Sequence, residues 1–312
     1  QLRREGKILP PDIDAEIIAL AADEQYLRTP AGQAAAGALL DKTAALPARE
    51  DYEFEEPSDL TGIRAARRSA PESPSATGSP DDMEAKIYGA WLGRIYGCYL
   101  GKPVEGLRRR PGEDFILQQF LQETGQWPLR GYFSLEYPAE LLDKYGLRRG
   151  WGDGPPYMPE DDDTNYTLVG FGVMRESGRD FTPENVASFW LERLPIGRTY
   201  TAERVAYRNF CNKIAPPQSA IHRNIYREWI GAQIRGDFFG YACLGNPWKA
   251  AEYAWRDACI SHVKNGIYGE MWVAAMLAAA GVCDNVETAI RAGLAQIPAK
   301  SRLAAALEEV LS

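Results

Sequence analysis

Histidine is almost missing from this chain. Its 312 residues hold only His222 and His262, which argues against a His-rich zinc site. Cysteine is sparse too: Cys98, Cys211, Cys243, Cys259 and Cys283 are odd in number, scattered and without a Cys-x-x-Cys pair, so they read as buried free thiols. No run approaches the roughly 20 uninterrupted apolar residues of a membrane helix. The opening Gln1-Leu2-Arg3-Arg4-Glu5 does not have the pattern of a signal peptide, so a cytoplasmic chain with no membrane partner is expected. Positive charge is also in deficit. A net charge of -8 argues against nucleic acid as an obligatory partner, although Leu107-Arg108-Arg109-Arg110 could hold a small phosphate. Alternating β-branched runs are nearly absent, which leaves helix as the expected element throughout.

What remains is ample for folding. A hydrophobic content of 45% with 11% aromatics supports one large core or two domains. Residues 69–80, rich in Pro, Ser and Gly and without apolar periodicity, read as a linker. The expected organisation is an N-terminal helical appendage over 1–68, a linker over 69–82, and a helical domain over 83–312. Within the appendage, 12–23 and 31–46 have the pattern of short amphipathic helices. The acidic and aromatic strip Glu50-Asp51-Tyr52-Glu53-Phe54-Glu55-Glu56 is expected to be a solvated connection rather than an interaction strip. Beyond the linker, helices are expected over 82–100, 113–123, 163–177, 183–194, 201–211, 222–235, 247–277 and 285–295. Thr182-Pro183 and Asn246-Pro247 each set a capping side chain before a first-turn proline.

Three segments carry chemistry. The first is Glu160-Asp161-Asp162-Asp163-Thr164, four consecutive carboxylates between the Gly/Pro loop Trp151-Gly152-Asp153-Gly154-Pro155-Pro156-Tyr157 and an apolar stretch. Such a run repels itself unless it is fully solvated or shares a cation, and oxygen ligands suit Mg²⁺, Mn²⁺ or Ca²⁺ better than zinc. In the second, Gly89, Gly93, Gly97 and Gly101 recur every fourth residue and so line one helix face. Each costs about 1 kcal/mol against Ala, so the face needs a reason: a crossing helix or a ligand pressed close. Pro103 then stops the helix, and Glu105 places a carboxylate just beyond the glycine face. The third, Asp257 through Glu270, interrupts a helical pattern with Ser261, His262, Asn265, Gly266 and Gly269. It reads either as a pocket wall or as a satisfied buried histidine with its loop.

In this order, the three segments resemble the ADP-ribosylglycohydrolase family, which includes ADP-ribosyl-arginine hydrolases, ADP-ribosyl-serine hydrolases and the dinitrogenase-reductase-activating glycohydrolase. That family opens with a glycine-spaced helix ending in Glu, here Gly89 through Glu105. It continues with a Thr/Ser-Asp-Asp-Thr metal motif, here Asp161-Asp162-Asp163-Thr164, and a Thr-His step before a small-residue helix, here Ser261-His262. The resemblance implies an all-α orthogonal helical bundle with two Mg²⁺ ions in a cleft. It places Asp161, Asp162 and Asp163 as metal ligands, with Glu105 and Asp162 as the catalytic pair. Gly101, His262, Asn265, Gly266 and Tyr268 would line the ADP-ribose site.

Two aromatic-polar stretches add candidates outside those motifs. Pro195-Ile196-Gly197-Arg198-Thr199-Tyr200-Thr201 reads either as a substrate loop, with Arg198 on a phosphate and Tyr200 on a base, or as a helix-linking turn. Residues 234–241 read either as a rim or as a packed connection.

The chain departs from the family pattern in three places. Asp161 stands where many members have Thr or Ser, Cys98 stands where a Gly-Asp step is common, and no late Asp-x-Asp-Thr motif precedes Ser312. The expectation that follows is a further chain segment completing the cleft. The expected activity is Mg-dependent hydrolysis of an N- or O-glycosidic bond to ADP-ribose or a related ribosyl group, on an ADP-ribosylated protein or a small ribosyl metabolite. The alternative is an ADP-ribose or nucleotide-binding module without turnover. A third possibility is an interaction scaffold whose acidic run is merely solvated.

Overall fold

Capping side chains and first-turn prolines start the helices where the sequence implies. Thr182 and Asn185 close a reciprocal capping box at helix Pro183–Arg193, at 3.4 and 2.9 Å. Asn246 accepts from the Lys249 amide at 3.0 Å to open helix Pro247–Ala258. The computed structural model describes residues 1–68, 80–107, 115–147 and 158–312, without the side chains of residues 80 and 81. Most of the expected linker, the Arg108-Arg109-Arg110 patch and the loop 151–157 lie outside the described residues. Among those described, every regular element is helical and β structure is limited to two isolated bridges, Lys7 with Ala48 and Arg67 with Pro298. The fold is all-α, as expected. No helix of the described residues is long and apolar enough to cross a membrane.

The chain forms two compact units, Gln1–Thr77 with Tyr166–Ser312, and Gly78–Asn165. In the larger unit, helix Asn265–Ala280 is central. It packs against Pro247–Ala258, Val286–Leu294, Asp237–Tyr241 and the 3-10 turn Ile230–Arg235. Buried Ala274, Ala275, Ala278 and Ala279 permit the close approach. Gly240 needs it: a Cβ there would lie 2.7 Å from Leu277 Cβ and 2.9 Å from the Ala274 carbonyl. Around this helix sit Trp190, Phe181, Phe239, Tyr253 and Ile260, with the Phe181 and Phe239 rings stacked at 5.7 Å.

The first 68 residues are not a separate appendage. Ile63, on the helix Leu60–Ala66, is fully buried in the same core. Trp255 Nε1 donates to the Ser58 carbonyl at 2.9 Å, and the Tyr268 hydroxyl donates to the Pro57 carbonyl at 2.5 Å. The acidic strip is solvated on one side only. Asp51, Glu53 and Glu55 are exposed, whereas Tyr52, Phe54 and Glu56 turn inward, the alternation of an extended segment. Glu56 accepts from Arg302 Nε at 2.9 Å and Nη2 at 2.7 Å. Burial opposes its ionisation, but the Arg302 and Asn265 bonds outweigh that and hold its pKa down at about 2.

Two helix expectations need correction. Of 222–235, only Ile230–Arg235 is helical, as a 3-10 turn. Buried Asn224 spends its amide on the Ala202 and Ser261 carbonyls, and its Oδ1 accepts from the Tyr226 amide, bonds that compete with a helical ladder. The expected 247–277 helix is two helices, Pro247–Ala258 and Asn265–Ala280, broken where Lys264 takes a positive φ of 48°.

The smaller unit holds the glycine helix Pro80–Gly101, which ends in a 3-10 turn at Pro103 as anticipated. Helices Ile116–Glu123 and Ala139–Tyr145 supply its own core of Phe120, Leu121, Leu135, Leu142, Tyr145 and Leu147. Helix Asp162–Ser177 begins in this unit and continues into the larger one.

Ile63→Ala is expected to cost about 2–5 kcal/mol in chemical denaturation, the range for truncating a buried Ile. A loss below about 0.5 kcal/mol, the surface range, would return residues 1–68 to the status of an appendage.

Candidate functional site

The glycine face meets no neighbour. A Cβ built on Gly89, Gly93, Gly97 or Gly101 finds nothing within 4 Å, so the crossing-helix explanation finds no such helix among the described residues. Instead Gly93, Gly97 and Gly101 form one wall of a cavity of about 440 Å³. Its other lining comes from Arg94, Cys98, Lys102, Glu105 and Asp163. Arg94, Cys98 and Lys102 repeat every fourth residue alongside the glycines, which puts them on a neighbouring stripe of the same helix and its exit turn.

The acidic run enters as the start of a helix. Asp161 is 3% exposed and caps helix Asp162–Ser177, its Oδ1 accepting from the Asp163 amide at 2.9 Å. Its Oδ2 is gripped by the Lys102 ammonium. Arg94 donates through Nη2 to the Asp163 carbonyl at 2.5 Å and to Asp163 Oδ1 at 3.2 Å. Cys98 Sγ and carboxylate oxygens of Asp161 and Asp163 lie within 4.8 Å of one another. Cys98 therefore joins the close set of donors, and Asp162 stands beside that set, within the electrostatic reach of Asp161 and Glu105. Glu160 turns aside to accept from Asn165 at 2.7 Å.

The electrostatics of this cluster are unbalanced. Burial opposes ionisation of Asp161, but hydrogen bonds from Lys102 and the Asp163 amide keep its pKa below the usual carboxylate value. Burial first, and then the Asp161 charge, pushes Asp162 up; partial burial with the charges of Asp161 and Asp163 raises Glu105 against the opposing Lys102. Asp163 is pushed up chiefly by burial, with Arg94 opposing. Burial, Asp161 and Asp163 push the Cys98 thiol to about 12. Four carboxylates, those of Asp161, Asp162, Asp163 and Glu105, thus answer to two cations, Arg94 and Lys102. The residual charge of two and the oxygen-rich donor set fit a hard divalent ion.

The other expected site residues belong to the larger unit. His262 and Tyr268 are fully buried in the larger unit, and Gly266 is buried with them. His262 Nδ1 pairs with Ser261 Oγ at 2.8 Å, and a Cβ on Gly266 would strike the Arg227 carbonyl at 2.7 Å. Asn265 Nδ2 donates to Glu56 and Glu228, both at 2.8 Å, while its Oδ1 accepts from the Leu303 amide at 3.0 Å. The segment is largely buried within the larger unit. Both ends of the Asn265 amide are committed to protein partners, whereas His262 Nε2 has no hydrogen-bond partner. Arg198 and Tyr200 are exposed at the 3-10 turn Ile196–Arg198 in the same unit, where the Arg204 guanidinium covers the Tyr200 ring at 5.5 Å.

Behind His262 lies Arg235, fully buried. It pairs with Asp257 at 2.5 Å, Glu203 at 3.1 Å and Glu270 at 3.5 Å. Neither Glu270 oxygen has a hydrogen-bond donor, and burial together with the Asp257 charge pushes its pKa far up. Burial and Arg235 push His262 far down, so the interior favours the neutral form of both groups.

The all-helical fold and the carboxylate-lined cleft under a glycine helix place this chain in a defined class. It belongs to the ADP-ribosylglycohydrolase family, whose model matches residues 79–312. That is a family of glycosidic-bond hydrolases of ADP-ribose-type substrates, generally metal-dependent. No curated protein and no solved structure matches the chain.

Two outcomes test these assignments. Gly97→Ala is expected to raise the thermal midpoint, in line with a gain of up to about 1 kcal/mol, because the methyl enters open space. Destabilisation would mean that the glycine is required for packing. For Glu270, the unfolded chain ionises above its ordinary value of 4.5 whereas the folded chain holds the proton, so stability falls as pH rises past 4.5 toward the raised folded value. Glu270→Gln keeps the protonated shape. Its stability relative to the parent should therefore grow from pH 5 to pH 8 in urea titrations, and a pH-independent difference would show that Glu270 is ionised when folded.

Proposed function

We propose that this chain hydrolyses an N- or O-glycosidic bond to ADP-ribose or a related ribosyl group, with Mg²⁺ in the acidic cluster. The observation that carries the reading is the cavity of about 440 Å³, with bare glycine backbone on one side and Glu105, Asp163, Arg94 and Lys102 around it. Glycines let a sugar or phosphate approach the helix backbone, and the volume suits a ligand of nucleotide size. Asp161, Asp162 and Asp163 would hold the cation. The family resemblance implies two ions, and the charge of the described cluster balances one. A bound divalent ion supplies Lewis-acid stabilisation and a grip on vicinal hydroxyls.

The chain's own groups divide the remaining work. Glu105 is exposed at the cavity, and its raised pKa suits a group that passes a proton to the leaving atom or takes one from water. Arg94 fixes Asp163 through both its carbonyl and its carboxylate, which orients the acidic turn. Leaving groups in keeping with this reading are an arginine or serine side chain of an ADP-ribosylated protein, or a small ribosyl metabolite. Binding without turnover is the second reading, favoured by the Lys102 grip on Asp161.

The test is calorimetric titration of ADP-ribose with Mg²⁺ and with chelator, beside turnover of ADP-ribosylated arginine and serine peptides. Binding should need Mg²⁺ and vanish in Asp162→Asn/Asp163→Asn, while Glu105→Gln should keep binding and lose about 10²–10⁴ in turnover. Mg²⁺-dependent binding with no turnover of any glycosidic substrate would select the second reading. Binding indifferent to chelator would remove the metal from both.

A further inference from the structure

We infer that Lys102 is a tethered cation that competes with a divalent ion for Asp161, so that metal entry and release of the Lys102 ammonium into the cavity are a single event. This rests on the reading of the acidic cluster as a metal site.

Both oxygens of the Asp161 carboxylate are already used. Oδ1 caps the helix through the Asp163 amide at 2.9 Å, and Oδ2 carries the Lys102 ammonium. The Asp161 side chain is 1% exposed, so no lone pair faces solvent for a metal to take without displacing a donor. The amide is fixed by the helix, which leaves Lys102 as the donor that can go.

Arg94 cannot play this part. It is tied to the Asp163 backbone carbonyl through Nε at 3.2 Å and Nη2 at 2.5 Å as well as to the carboxylate, so it stays whatever happens to the carboxylate charge. Lys102 is a point charge on a flexible stem, with its hydrogen bond to Asp161 alone among the described residues. It stands in the turn just after the glycine helix, and its side chain lines the cavity beside Glu105.

An exchange of this kind has a defined sign. Without metal, Lys102 neutralises the one carboxylate that is too buried to be solvated. With metal, Asp161 keeps a counter-charge and the freed ammonium offers the cavity a donor for an anionic oxygen, such as a diphosphate. Metal and anionic ligand should therefore bind with positive coupling, each favouring the state in which Lys102 has left Asp161.

The experiment is Mn²⁺ titration followed by the electron paramagnetic resonance of free Mn²⁺, on the parent chain, Lys102→Met, Lys102→Gln and Asp161→Asn. Both Lys102 variants should bind Mn²⁺ about ten- to a hundredfold more tightly, the factor carried by a hydrogen bond to a charged group, and Asp161→Asn most weakly. Thermal unfolding gives a second readout: Mn²⁺ should raise the midpoint of the Lys102 variants more than that of the parent. With Mn²⁺ present, ADP-ribose titrated by calorimetry should bind these variants more weakly than the parent. Parent and folded Lys102 variants with equal Mn²⁺ affinity would overturn the competition and leave the metal site standing. No Mn²⁺ bound by any of the four would remove the metal reading and the inference with it.

Discussion

Arg235 cannot leave water without partners, and the larger unit is arranged around that demand. Its ligands come from separate elements: Glu203 from helix Thr201–Cys211, Asp257 from Pro247–Ala258, and Glu270 from the central Asn265–Ala280. The guanidinium also lies 5.1 Å from the Trp190 ring and 5.6 Å from the Tyr166 ring. Removing one partner of such a buried pair ordinarily costs about 3–5 kcal/mol, so the elements are bound to one arrangement. His262 is part of that arrangement through Ser261, whose hydroxyl accepts from Arg235 at 3.1 Å and pairs with the imidazole.

The two units meet an excess of acid in opposite ways. Around Arg235 three carboxyls share one cation in a dry interior, and burial together with the Asp257 charge pushes Glu270 toward its protonated form. In the smaller unit four carboxylates face two cations beside an open cavity. There the surplus can be met from solvent, by an ion as well as by a proton. The same imbalance is structural in one place and chemically available in the other because of access alone.

What the sequence made legible was local. The all-helical class, the capped starts at Thr182 and Asn246, the stop at Pro103, and the glycine face with its following carboxylate can all be read from short-range pattern. The acidic run could be read as a cluster, but its partners could not. Lys102 and Arg94 are ordinary surface residues until the chain brings residue 102 to residue 161, although their four-residue spacing with the glycines was a signal that they share that side of the helix. The His262 segment was ambiguous because Ser, His, Asn and Gly have the same composition in a ligand pocket as in a buried loop. The deciding facts are Glu56, Glu228 and Leu303, which claim Asn265 from three distant places. The integration of residues 1–68 was hidden for the same reason, since Ile63 has no periodic company to announce a core helix.

The position of Glu56 has a practical meaning. The family match begins at residue 79, yet Arg302 finds one of its carboxylates at Glu56, and the main-chain carbonyls of Pro57 and Ser58 receive Tyr268 and Trp255. A recombinant fragment cut where homology begins would expose the surface under Ile63 and leave these donors facing solvent or nothing. The boundary of the family match and the boundary of the packed core therefore differ in this chain, and the segment before residue 79 contributes to the core of the matched one.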